Sequence, residues 1–145
     1  MVDFVTLEDV RRACSDLGIR DWSQLNLIEI TSEEARLILG AIGSEALEVS
    51  LADFREGLQV ELEHGKRFPD ANITNNHPIL TGQIVLAHLK ESLHYYKRIA
   101  VAELEGDLLK ATKARDADKM QSLYERVVLA RLALDQAEVD FLEER

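Results

Sequence analysis

The chain has 145 residues, with 27 acidic against 17 basic side chains and a net charge of −10. This length can bury a real core, and the acidity argues against nucleic acid or an anionic membrane surface as the main partner, since both demand basic patches. The charge is uneven: residues 1–50 carry 10 acids and 4 bases, residues 51–100 carry 6 of each, and residues 101–145 carry 11 and 7. All four histidines fall in the neutral middle third.

Two prolines and seven glycines interrupt a composition rich in Leu, Ala and Glu, which favours helices throughout. The single cysteine, Cys14, cannot form an internal disulfide and suits a reducing compartment; its neighbours Ala13 and Leu17 point to a packing role. No window is apolar enough for a membrane span, and Met1-Val2-Asp3-Phe4 begins no signal peptide, so a cytoplasmic location is expected. Phosphate-cradling glycine loops and nucleophile elbows are absent, so no nucleotide or organic cofactor is implied.

In chain order, Thr6 with Asp9 three residues on reads as a capped start, and Gly18 as the stop, of a first helix. Thr31-Ser32-Glu33-Glu34 opens a second, ending near Gly40 or Gly43. Ser50 with Asp53 opens a third, expected to reach His64 and stop at Gly65. Residues 66–79 form a long loop rich in turn residues. A fourth helix starts near Ile79 to Thr81 and continues at least to Arg98, with Ala114 as its furthest reach; a polar turn follows at Arg115–Asp118. The last helix, about 117–143, carries apolar residues at Met120, Leu123, Val127, Ala130, Leu134, Ala137 and Phe141, an alternating three- and four-residue spacing. The expectation is a single all-α domain over 1–145, a bundle of about five helices. It divides into N-terminal helices at 1–50, a core at 51–105 and a C-terminal antiparallel hairpin arm at 106–145, with a homodimer or a protein partner foreseen through the hairpin.

At about 100° per residue, helix three points Leu51, Phe54, Leu58 and Leu62 to the core and Glu56, Gln59 and Glu63 to solvent, with Gly57, Glu61 and His64 beside the core face. Helix four places Thr81, Ile84, Val85, His88, Leu89, Ser92 and Tyr95 inward, Glu91 at the edge of that face, and His94 outward. Antiparallel packing would set His64 level with His88 and Glu61 level with Glu91. Two imidazoles and two carboxylates at one interface suit Fe, Mn or Zn, and Glu-x-x-His recurs in carboxylate-bridged di-metal bundles. The expected ligands are Glu61, His64, His88 and Glu91, with Tyr95, Glu103 and Thr81 around them. The competing reading is a buried polar network in a non-enzymatic interaction protein, because buried polar groups need partners whatever their role. A third is an enzyme with His88 as general base oriented by Glu91. His77, in the loop before Pro78, reads as a turn or capping residue.

Val60-Glu61-Leu62-Glu63-His64-Gly65, Asn72-Ile73-Thr74-Asn75, the run Thr81–Glu91 and Tyr95-Tyr96-Lys97-Arg98-Ile99 together resemble a small uncharacterised family of bacteria and phages, a domain of unknown function, over about residues 51–105. The resemblance implies that Glu61, His64, His88, Glu91 and Tyr95 share the domain core; it implies no activity. Asn75, Asn76 and His77 stand where the family tends to carry acids. Leu93-His94 stands where it often has Pro-Asp, so the fourth helix is expected to run on without a break.

Overall fold

The structure is a computed structural model that describes residues 4–25, 29–43 and 49–144. Six α-helices and two short 3₁₀ turns make up its regular structure, and no strand occurs among the described residues. The helices are α1 (Leu7–Leu17), α2 (Ser32–Ala41), α3 (Leu51–Arg67), α4 (Pro78–Glu91), α5 (Tyr95–Ala114) and α6 (Ala117–Glu143), with 3₁₀ turns at Trp22–Gln24 and Pro69–Ala71. The chain divides into two compact units, Met1–Leu93 and His94–Arg145, so the boundary falls inside the segment expected to be one core.

The all-α expectation holds, with six helices in place of about five. The extra one comes from a break at Ser92, which turns extended (φ −152°, ψ 123°) and donates its N–H to the His88 carbonyl. The expected continuous helix is therefore two, although no proline marks the break. The other boundaries follow local chemistry. Thr6 and Asp9 form a reciprocal capping box on α1, and Gly18 ends it in the left-handed conformation (φ 70°). Thr31 and Glu34 cap α2 in the same way, and Ser50 and Asp116 cap α3 and α6.

In the first unit α3 packs on α2 and α4, and α1 packs on α2, α4 and the Trp22–Gln24 turn. The core holds Val10, Cys14, Trp22, Ile30, Ala35, Ile38, Phe54, Leu58, Leu62, Val85 and Leu89. Phe54, Leu58 and Leu62 are buried as their helical spacing predicts. Gln59, expected in solvent, is instead half-buried: its carbonyl accepts the Ile30 N–H at 2.9 Å and its amide donates to Glu63 at 3.0 Å. Gly65 is likewise no terminator, because α3 runs on to Arg67. The glycine is there for space. Asn72 and Asn76 fold back onto that turn, and a Cβ at residue 65 would meet the Asn76 carboxamide and lie 2.7 Å from Asn72 Nδ2. Asn72 Nδ2 donates to the Gly65 carbonyl at 3.3 Å and to Asn76 Oδ1 at 3.0 Å. Asn75 and Asn76 hold left-handed backbone (φ 51° and 60°), which asparagine tolerates better than most residues.

The second unit holds the expected hairpin, which begins with α5 at Tyr95 and not near residue 106. α5 and α6 pack along each other, joined at Arg115 in the left-handed conformation (φ 56°). Leu123 and Val127 are buried, and Arg98–Glu138 (2.5 Å) and Arg131–Glu105 (2.9 Å) tie the helices together. His94, expected to face solvent, is half-buried with its ring edge-on to Phe141 at 6.0 Å.

Candidate functional site

Glu61 on α3 and His88 on α4 do meet. His88 Nε2 lies 3.7 Å from Glu61 Oε1, both side chains being half-buried. The pairing is one turn out of the expected register, in which Glu61 stood level with Glu91. Glu91, the last residue of α4, is exposed. His64, one turn beyond Glu61, is half-buried with its ring 6.5 Å from that of Phe68, and the Arg67 guanidinium stands 5.2 Å from the same Phe68 ring. Thr81 is buried, and its hydroxyl has no hydrogen-bond partner among the described residues. Tyr95 and Glu103 belong to the second unit, where Tyr95 stacks edge-on against Tyr96 at 5.2 Å and Glu103 is exposed. Among the described residues no group of three or more His, Cys, Asp or Glu is placed to hold a metal ion.

His77 occupies the N-cap position of α4 without a side-chain capping bond, and Pro78 follows at the first helical position. Its ring borders an open cleft of about 440 Å³ with Asp9, Arg12 and Asp16 of α1. Burial lowers the His77 pKa; the Asp9 charge opposes that shift.

The most completely satisfied polar centre is one that the spacing of residues did not single out. Glu34, 4% exposed, stands at the third position of α2. Arg20 donates to both its oxygens, at 2.8 and 2.7 Å, in a bidentate pair. Trp22 Nε1 donates to Oε1 at 3.3 Å, and the Thr31 N–H and hydroxyl donate to Oε2 at 2.9 and 3.1 Å. Arg20 also donates to the Glu29 carbonyl at 2.6 Å. Burial pushes the Glu34 pKa up, but the bonds from Arg20, Thr31 and Trp22 outweigh it and bring the carboxyl from the ordinary 4.5 to about 2. This cluster joins the segment after α1 to the start of α2. The capping box was readable from Thr31-x-x-Glu34; the pairing with Arg20, fourteen residues earlier, had no local signal.

The family model described as "Protein of unknown function (DUF5661)" matches residues 10–105. The chain belongs to the DUF5661 family. The DUF5661 segment starts in α1 and ends in α5, so it takes in the Glu34 cluster, the Gly65–Asn72–Asn76 lock and the Glu61–His88 pair. It extends some forty residues further toward the N-terminus than the motifs alone suggested, because α1 and α2 pack directly on α3 and α4 and form one unit with them. All of α6 lies beyond it. No match emerges among curated proteins or among solved structures.

Proposed function

We propose that this DUF5661 chain is a non-enzymatic interaction protein of the cytoplasm, whose C-terminal hairpin docks another helical polypeptide. One observation carries the reading. α6 uses Leu123 and Val127 to pack on α5, yet keeps a second apolar row outside: Tyr124, Val128, Leu132, Val139 and Leu142 are 60, 46, 61, 46 and 69% exposed, while exposed Leu129 and Phe141 lie off this row. At 100° per residue these five fall within about 80° of arc, displaced from the α5-facing seam. Scattered surface apolars need no explanation, but a row along one helix face favours a partner. The buried free Cys14 fits the proposed compartment; burial raises its thiol pKa. In the first unit, Glu61–His88 is then part of the polar packing between α3 and α4.

A photo-crosslinking residue placed in the cell at Leu132 or Val128 is expected to give a discrete protein adduct. The same residue at Ser122, on the other side of the α5-facing seam, is expected to give none. The absence of any adduct from the apolar row overturns the reading.

A second reading keeps a metal centre of Fe, Mn or Zn on Glu61, His64, His88 and Glu91, and the approach of His88 to Glu61 favours it. Glu91 would have to leave solvent to join. Titrating each metal into the purified, tag-free protein separates the two readings. The interaction reading expects no rise in melting temperature in either the parent or His88→Ala. A rise in the parent that His88→Ala abolishes would establish the metal centre instead.

A further inference from the structure

We infer that the occupant of the outer α6 face is a second copy of this chain, packed antiparallel through α6; this deepens the interaction reading and rests on it. In an interface with two-fold symmetry, if residue i of one copy meets residue j of the other, then j meets i. A two-fold axis passing α6 near residue 133 sets Tyr124 against Leu142 of the other copy, and Val128 against Val139, so four of the five residues of this row find an apolar partner twice over. The row has one charged interruption, Asp135, between Leu132 and Val139. The same axis brings Asp135 opposite Arg131 of the second copy, at the edge of the row. Arg131 already reaches Glu105 at 2.9 Å within its own hairpin, and its guanidinium fork has further donors for a second carboxylate. A parallel pairing would set Asp135 against Asp135. The charge pattern therefore selects the antiparallel arrangement, and it gives a chain of net charge −10 a local attraction where two copies meet.

The test is the mass of the full chain in solution, by light scattering or sedimentation across the micromolar range. The expected species is a dimer, twice the 16.4 kDa of one chain. Leu132→Glu is expected to weaken association about 30-fold or more while leaving the helical circular dichroism of the chain intact, since Leu132 is 61% exposed. Register is read separately. Asp135→Arg and Arg131→Asp should each weaken self-association, and an equimolar mixture of the two should form heterodimers, because every 131–135 contact is then between opposite charges. A parent that stays monomeric overturns the inference; if Leu132 still crosslinks to a different protein in the cell, the interaction reading survives it. A dimer unaffected by Leu132→Glu, or a mixture without preference for the heterodimer, also overturns it.

Discussion

Replacing Glu34 by alanine is expected to cost the fold about 3–4 kcal/mol, a large share of the stability of a domain of this size. The loss has three parts. The Trp22 indole N–H loses its acceptor in a buried place, the Arg20 guanidinium loses its bidentate partner, and α2 loses the half of its capping box in which the Thr31 N–H donates to the carboxylate. Chemical denaturation at neutral pH measures it, and a change below about 1 kcal/mol would show that the cluster contributes little. Glu34→Gln isolates the charge. The folded pKa of about 2 lies below the ordinary 4.5, so the ionised carboxylate favours the folded state at all pH values above about 4.5. That contribution, about 3 kcal/mol from the size of the shift, disappears as pH falls from about 4.5 toward 2. The parent should therefore lose stability over that window more steeply than Glu34→Gln, whose amide does not titrate. Equal slopes would mean that other carboxylates dominate the acid response.

Gly65→Ala is the second large expected effect, a destabilisation of about 1–3 kcal/mol that no helix-propensity argument foresees. In the middle of a helix, Gly→Ala ordinarily gains about 1 kcal/mol. Here the new methyl group would displace Asn72 and Asn76, the second of which is buried, and break the bond from Asn72 to the Gly65 carbonyl. The sign of the change is thus the measurement. Thermal unfolding of Gly65→Ala beside that of Gly106→Ala, where a Cβ meets nothing within 4 Å, should move the two in opposite directions. A stabilised Gly65→Ala would mean that the asparagine lock yields without cost.

These two cases also mark how far the sequence could be read. Helix starts were legible because a cap and its helix lie within four residues of each other, as at Thr6, Thr31 and Ser50. The last helix was legible nearly to its ends because its apolar spacing runs unbroken for about six turns. Contacts between distant segments were not. The Arg20–Glu34 pair, the Gln59 bond to Ile30 and the asparagines against Gly65 link residues between 7 and 29 positions apart. Helical periodicity placed Glu61 and His88 on facing sides. It could not fix their register, because that is set by how the loop between α3 and α4 folds back on α3.

The asparagine-rich loop has a consequence for how the protein is made. Besides locking α3, it sends Asn75 Nδ2 to the Val5 carbonyl, seventy residues back, just ahead of α1. An isolated helix as short as α1, with 11 residues, is marginal in water. During synthesis α1 and its near partners, the Trp22–Gln24 turn and α2, leave the ribosome long before α4, on which α1 also packs, and before Asn75. The first unit can close only after its final third has emerged, whereas the hairpin can zip outward from the turn at Arg115 as soon as α6 is complete. The two units of one chain are therefore completed differently, the first only when its last helix arrives and the second from its turn outward.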